Sequence, residues 1–180
     1  MTEQIGAALR LLYPDGRAIT PDSATDDFSL KSLCEDNVYS LTLTPRRAGL
    51  ALAAVEYDIP LPHDLTDVPE ELYIYDDSAY TNDFTSVVPY VGNEARTVYN
   101  LAVFKNLRTR KVFLCGLLTA HRFLAMFNLH DGLVTLRFDL EERELHAGEA
   151  YLLERFMVAE GTDNENVLLE AYGDAVAACN

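Results

Sequence analysis

The chain has 180 residues, about the size of one domain that can bury its own hydrophobic core. Apolar residues make up 49% of it and charged residues 24%, which is typical of a globular protein, and no apolar run is long enough to cross a bilayer. The formal charge of −15, from 29 acidic and 14 basic side chains, repels phosphate backbones and anionic lipids. The composition therefore excludes nucleic acid and membranes as expected partners.

The first half of the chain is predicted to contain short strands joined by tight turns. β-Branched and aromatic residues concentrate after Asn37, which favours strands over helices. Pro60, Pro62 and Pro69 cannot donate hydrogen bonds to a sheet, so residues 59–71 are predicted to form a loop or a sheet edge that connects two halves of the domain. The strands predicted in this half span residues 9–13, 17–19, 38–43 and about 50–57.

The second half is predicted to contain strands in close succession, joined by connections of hairpin length. Val134, Leu136 and Phe138 alternate with polar residues, the period of two that indicates a sheet with one solvated face. Asp131-Gly132 is a strong signal for a tight hairpin turn. The predicted strands span residues 72–75, 98–104, 111–119, 123–129, 133–140 and 150–159.

The last residues change to a helical period. Asp163 or Asn164 is available as an N-cap, and the apolar face of the predicted helix comprises Val167, Leu168, Ala171, Tyr172, Ala175 and Val176. The fold class predicted is mainly β: an antiparallel β-sandwich over residues 1–162, with one C-terminal α-helix over 163–180. This helix is expected either to pack on the sandwich or to lead into a following domain.

No motif for catalysis is found. The chain has no glycine-rich phosphate loop, no Gly-x-Ser-x-Gly elbow and no His-Glu-x-x-His helix. The four histidines, His63, His121, His130 and His146, are scattered and lack a second ligand at metal spacing. We therefore predict no catalytic residue, no metal and no cofactor.

The cysteines also argue against a structural metal. Cys34, Cys115 and Cys179 form no close pair, which indicates reduced thiols rather than a disulfide framework or a zinc site. Cys115 lies in an apolar run and is predicted to be a core residue. Because residues 1–4 do not resemble a secretion signal, the expected location is the cytoplasm.

A polar segment with two aromatic residues, residues 76–84, is predicted to form an exposed loop. Its carboxylates could form the pair that glycoside hydrolysis needs, or could simply be solvated turn residues, which we favour. Tyr80 and Phe84 could stack on a sugar ring, whereas Tyr73 and Tyr75 share a strand face and are expected in the core or an interface. The candidate carbohydrate-binding residues are Asp76, Asp77, Tyr80, Asn82 and Phe84.

Three segments, in order, resemble family 36 glycoside hydrolases, the melibiase-type α-galactosidases. Residues 106–123 are similar to a strand pair in which an apolar core run precedes a basic-aromatic turn. Leu145-His146-Ala147-Gly148-Glu149 is similar to a glycine-glutamate turn of the family. Residues 167–177 are similar to the helix that links its sandwich to the catalytic barrel.

The resemblance implies an N-terminal β-supersandwich of the galactose-mutarotase-like type, which packs on a (β/α)₈ barrel. In that family the catalytic aspartates belong to the barrel, so this chain is expected to be a non-catalytic accessory domain that shapes the sugar site or an oligomer interface. The implied partners are a catalytic barrel, a galactoside and a second copy of the chain.

Two alternatives remain, an autonomous carbohydrate-binding module and a mutarotase-like epimerase.

The family often carries a tryptophan in a segment that approaches the sugar. The corresponding residues here, 77–84, contain none.

Overall fold

The computed structural model describes residues 9–20, 26–76, 86–90 and 95–180. Within them the chain is an antiparallel β-sandwich with a C-terminal helix. In chain order the strands are β1 (Leu9–Leu12), β2 (Ala18–Ile19), β3 (Phe28–Glu35), β4 (Val38–Pro45), β5 (Leu50–Ala51), β6 (Ala54–Pro60), β7 (Leu72–Asp76), β8 (Ser86–Pro89), β9 (Arg96–Val98), β10 (Leu101–Asn106), β11 (Lys111–Leu117), β12 (Leu124–His130), β13 (Leu133–Asp139), β14 (Glu144–Leu145), β15 (Tyr151–Leu152) and β16 (Phe156–Thr162). The helices are α1 (His63–Thr66) and α2 (Glu165–Cys179), and a 3₁₀ turn spans Pro69–Glu71.

The strands form two main sheets. The six-stranded sheet has the order β2-β1-β6-β13-β12-β9. The eight-stranded sheet has the order β15-β4-β16-β11-β10-β7-β8, with β3 also paired to β4. β5 and β14 form a separate two-stranded ribbon. Side chains from both main sheets meet in one core, whose largest fully buried members are Phe104, Phe127, Phe138 and Phe156.

The predicted alternation along β13 is confirmed. Val134, Leu136 and Phe138 are fully buried in the core. The turn that precedes β13 is also as predicted: Asp131 and Gly132 have φ of 49° and 73°, the left-handed pair that a two-residue hairpin of type I′ requires. Glycine and aspartate accept this conformation at little cost, which is why the dipeptide is informative.

The outer face of the six-stranded sheet carries a ladder of charges. Glu56 on β6 lies directly opposite Arg10 on β1 and opposite Arg137 on β13. Its carboxylate accepts hydrogen bonds from both guanidinium groups, at 3.0 Å and 2.9 Å. Asp58 likewise accepts from Arg10 and, at 2.7 Å, from the Thr135 hydroxyl. Cross-strand pairs of this kind specify the register of the three strands.

The eight-stranded sheet is covered on both faces. Its central strand, β11, is buried along almost its whole length. Phe113 and Cys115 face the core between the sheets, whereas Val112 and Leu114 face a second cluster that α2 covers. A strand enclosed in this way is a continuous apolar run rather than an alternating one. Cys115 is the buried core residue that its sequence context predicts.

α2 begins at Glu165, and Asn164 is its N-cap, because the Asn164 side chain accepts a hydrogen bond from the Asn166 N–H. The face that contacts the sheet is rotated relative to the prediction. Val167 and Ala171 are exposed, whereas the contacting residues are Leu168, Leu169, Tyr172, Ala175, Val176 and Cys179. Packing on the sheet decides which face of α2 is buried. The helical period alone fits either face, because apolar or small residues occupy both.

Three predicted strands are each divided in the structure. Residues 50–57 form β5 and β6, residues 98–104 form the ends of β9 and β10, and residues 150–159 form β15 and β16. β9 and β10 belong to different sheets, so the chain crosses the sandwich between them. The segment 59–71 is not one loop either, since β6 extends to Pro60 and is followed by α1 and the 3₁₀ turn. Local composition does not reveal where a chain changes sheets.

β3 is a strand that was not predicted from the sequence. This strand pairs with β4 over eight residues through a tight turn at Asp36-Asn37, where φ is 49° and 67°. Asparagine and aspartate both tolerate the left-handed region, so the dipeptide is a type I′ signal comparable to Asp-Gly. The alternation of apolar and polar residues along β3 breaks where Ser32 takes the inner face and Leu33 the exposed one, which conceals its strand character.

Candidate functional site

A groove opens on the outer face of the eight-stranded sheet, between β7, β8, β10 and the first turns of α2. Its volume is about 630 Å³, a size typical of ligand and partner sites. We call it the outer groove; its lining residues are Tyr73, Tyr75, Val87, Leu101, Val103, Lys105, Leu107, Glu165, Asn166 and Leu169.

The alternation of β7 places two tyrosines in this groove. Leu72 and Ile74 are buried in the core between the sheets, so Tyr73 and Tyr75 point to the opposite face and are half-buried. Val103 on β10 lies beside Tyr75 in the register of the two strands. The outer groove therefore has an aliphatic floor and an aromatic wall.

One ion pair lies in the groove. The Lys105 ammonium on β10 donates to the Glu165 carboxylate in the first turn of α2. This hydrogen bond holds the pKa of Glu165 below its usual range. The pair links helix and sheet, so the groove offers little free charge and its chemistry is dominated by apolar surface.

The apolar surface continues outside the groove. Val87 on β8 and Leu107 after β10 line its rim, and each of these two side chains is more than half exposed. Single exposed apolar residues are ordinary, but exposed apolar residues that line an apolar groove are characteristic of an interaction surface.

The candidate carbohydrate-binding residues cannot be placed in this groove. Asp76 ends β7, and only its backbone is described. Asp77, Tyr80, Asn82 and Phe84 lie outside the described residues, so their role in binding stays a prediction. Of the aromatic residues considered from the sequence, Tyr73 and Tyr75 are the ones that the structure places in a concave surface.

The described residues contain no group of three or more His, Cys, Asp or Glu side chains arranged to hold a metal ion. All four histidines are exposed, each on a different segment. Burial raises the pKa of the Cys115 thiol, which keeps it protonated in the core. No helix in the described part of the chain has the length and apolar character needed to span a membrane.

A buried acidic residue, Glu154, is not among the candidates predicted from the sequence. Its carboxylate accepts hydrogen bonds from the Thr119 hydroxyl at 2.6 Å and from three backbone N–H groups, those of His121, Arg122 and Phe123, at 3.0, 2.6 and 3.0 Å. Burial opposes ionisation of Glu154, but these four donors outweigh it and hold its pKa below the ordinary value. The signal available in the sequence was a charged pair, Glu154-Arg155, set between the apolar residues Leu153 and Phe156.

These features define an antiparallel β-sandwich domain with a helix-bounded apolar groove. No protein-family profile matches the sequence, and no curated protein matches it. Among solved structures, the chain is similar to the GH36 α-galactosidase AgaA of Geobacillus stearothermophilus, solved in complex with 1-deoxygalactonojirimycin. The TM-score is 0.50 and the identity 11%, over 88% of this chain and 30% of that one. The resemblance inferred from the sequence is thus confirmed at the level of the fold.

Two further structures are similar to the chain. An α-galactosidase from Lactobacillus brevis has a TM-score of 0.43 and 9% identity, with 89% of this chain and 30% of that one covered. A galactose mutarotase-like protein from Lactobacillus casei has a TM-score of 0.39 and 10% identity, with 79% and 67% covered. The chain spans about 30% of the length of the two α-galactosidases.

Proposed function

We propose that this chain is a non-catalytic accessory β-supersandwich domain of an α-galactosidase-like glycoside hydrolase, whose catalytic barrel lies outside these 180 residues. The observation that carries the proposal is the fold shared with AgaA, which covers 88% of this chain but 30% of that enzyme. The absence of a recognisable catalytic motif in the sequence is compatible with this role.

The outer groove and its apolar rim are the surface on which the barrel docks. A sugar needs many hydrogen-bonding partners, and the aliphatic floor of the groove offers few. A barrel surface instead gains from covering Val87 and Leu107, at about 25 cal/mol for each Å² of apolar area removed from water. Interfaces between domains of one chain commonly use apolar patches of this kind.

The first test measures activity of the isolated chain. We expect it to hydrolyse no p-nitrophenyl α-galactoside and to leave the rate of galactose mutarotation unchanged. Activity in either assay would contradict the accessory role and favour a mutarotase-like enzyme. Saturable galactoside binding without turnover would favour an autonomous carbohydrate-binding module.

The second test uses Leu107→Asp in two settings, the isolated chain and the polypeptide encoded by the complete gene. We expect the substitution to change the melting temperature of the isolated chain little, because Leu107 is already 52% exposed. In the longer polypeptide it should weaken domain contact, lower the melting temperature by several degrees and reduce α-galactosidase activity.

A matched control is Leu33→Asp on β3, where the leucine is 54% exposed and lies outside the groove. This control should be silent in both settings. If Leu107→Asp and Leu33→Asp behave alike in the longer polypeptide, or if the complete gene encodes no barrel, the docking proposal fails.

A further inference from the structure

A second depression, of about 420 Å³, lies at the opposite end of α2 from the outer groove. One wall is the turn at residues 119–123, and another is the segment that joins β15 to β16. His121, Arg122 and Arg155 bring basic side chains to it, and Leu152 adds an apolar wall. Such a concentration of basic groups is unexpected in a chain with 14 basic and 29 acidic residues.

Neither arginine of this depression has a carboxylate partner in the described part of the chain. The Arg122 guanidinium carbon lies 5.7 Å from the centre of the Tyr151 ring, a cation–π contact that leaves its N–H groups free to donate. Arg155 Nη1 contacts only the Cys179 sulfur, at 3.8 Å, which is a weak acceptor. In contrast, Arg10, Arg47, Arg110 and Arg137 are all paired with aspartate or glutamate.

Glu154 lies beside the depression but does not neutralise these arginines through direct contact. Its oxygens are occupied by the Thr119 hydroxyl and by the three backbone N–H groups of the turn. The two arginines and this one carboxylate together carry a formal charge of +1. The same hydrogen bonds hold the turn that carries Arg122. The backbone N–H of Arg155 donates to the Thr119 hydroxyl at 2.9 Å, so the backbone of both arginines is held by hydrogen bonds.

We propose that this depression binds a small organic oxyanion, a phosphate monoester or a carboxylate, between the guanidinium groups of Arg122 and Arg155. Guanidinium groups match the oxygen spacing of carboxylate and phosphate and bind them through paired hydrogen bonds. The volume exceeds that of a bare ion, and the half-exposed Leu152 provides apolar contact for the organic part. This site is separate from the outer groove and does not depend on the accessory role.

The test is an NMR titration of the 180-residue chain with phenyl phosphate and with inorganic phosphate, at constant ionic strength. We expect saturable shifts of the backbone amides in residues 119–123 and 152–155, with a Kd in the millimolar range. Phenyl phosphate should bind more tightly than inorganic phosphate, because its ring contacts Leu152.

Arg122→Gln and Arg155→Gln should each weaken phenyl phosphate binding roughly tenfold, the loss expected for one charge-assisted contact. The control is Arg143→Gln, which removes an equally charged, exposed arginine outside the depression and should leave the Kd unchanged. Both arginines are surface residues, so amide spectra should confirm that each variant is folded.

The proposal is overturned if phenyl phosphate causes no saturable shift up to about 50 mM, well above the millimolar range that one or two guanidinium contacts imply. It is also overturned if the shifts map elsewhere, or if all three variants lose affinity equally, since that pattern indicates attraction by general charge alone.

Discussion

Asn106 is a single buried side chain that holds two connections of the domain together. Its amide nitrogen donates to the carbonyl oxygens of Leu65 and Val68, at 2.9 and 3.0 Å. Its amide oxygen accepts from the N–H groups of Arg108 and Thr109, both at 3.0 Å. All the hydrogen-bonding capacity of a fully buried amide is thus used, which is the condition for tolerating it in a core.

Replacing Asn106 with leucine should lower the free energy of unfolding by about 2–4 kcal/mol, because four backbone groups lose their partner while side-chain volume is nearly kept. Urea unfolding measures this difference. The control is Asn128→Ala: Asn128 is half-exposed on β12 and bonds only the Thr97 hydroxyl among the contacts described, so its loss should cost less than about 1 kcal/mol. Equal costs for the two variants would contradict the assigned role of Asn106.

Glu154 makes stability depend on pH. Because its pKa is lower in the folded protein than its ordinary value of 4.5, the ionised form stabilises the fold. That contribution is complete above the ordinary pKa and is lost as the pH falls through the folded value. A neutral glutamine at this position cannot show the same dependence.

We therefore compare the wild-type chain with Glu154→Gln by urea unfolding, at about pH 7 and again at acid pH below the ordinary glutamate pKa. The wild type should be more stable by about 1–3 kcal/mol at neutral pH, and this advantage should shrink in acid. Taking the difference between the two proteins cancels the other acidic groups. An advantage that stays constant with pH would show that the hydrogen bonds do not depend on ionisation.

At the scale of secondary structure, α2 packs on the sheet through a tyrosine that needs a glycine beneath it. The Tyr172 ring lies over Gly116 on β11, and its hydroxyl donates to the Leu117 carbonyl oxygen at 2.7 Å. A Cβ at Gly116 would lie 2.3 Å from the ring, much closer than a normal contact. At the end of the helix, the Asn180 amide donates to the Leu118 carbonyl oxygen at 2.8 Å.

Gly116→Ala should lower the free energy of unfolding by about 1–3 kcal/mol, because the ring must move and its hydroxyl loses alignment with Leu117. Gly173→Ala is a matched control with the opposite sign. Gly173 lies on the exposed face of α2 with no neighbour in contact, so alanine should stabilise the helix by about 0.5–1 kcal/mol. Thermal unfolding and the protection of α2 amides from hydrogen exchange measure both effects.

Equal tolerance of Gly116→Ala and Gly173→Ala would indicate that α2 is not docked on β11. It would also remove one wall of the outer groove, whose lining includes Leu169 on α2.

At the scale of the whole molecule, the two outer faces of the sandwich differ in chemistry. The six-stranded sheet carries the Arg10–Glu56–Arg137 ladder and tolerates water, whereas the eight-stranded sheet carries a second apolar cluster that α2 covers in part. The uncovered part is the outer groove. The eight-stranded sheet is therefore the face that presents an apolar surface.

Several features of the fold could be predicted because local physics determines them. The alternation around Leu136, the turn at Asp131-Gly132 and the cap at Asn164 each depend on residues close together in the chain. The β-sandwich class followed from many such signals, and the family resemblance from the order of three segments. The Asp36-Asn37 turn depends equally on neighbouring residues, so β3 and its hairpin could also have been predicted.

Tertiary structure alone decided the remaining features, because they depend on pairs distant in sequence. Asn106 contacts Leu65 across 41 positions and Glu154 contacts Thr119 across 35, and neither partner can be found by a local period. Which face of α2 packs on the sheet was decided by the space above Gly116, which the Tyr172 ring fills. The outer groove formed where α2 leaves part of the sheet uncovered. Local residue patterns thus determined that a sandwich forms, whereas long-range packing determined which of its surfaces stay exposed.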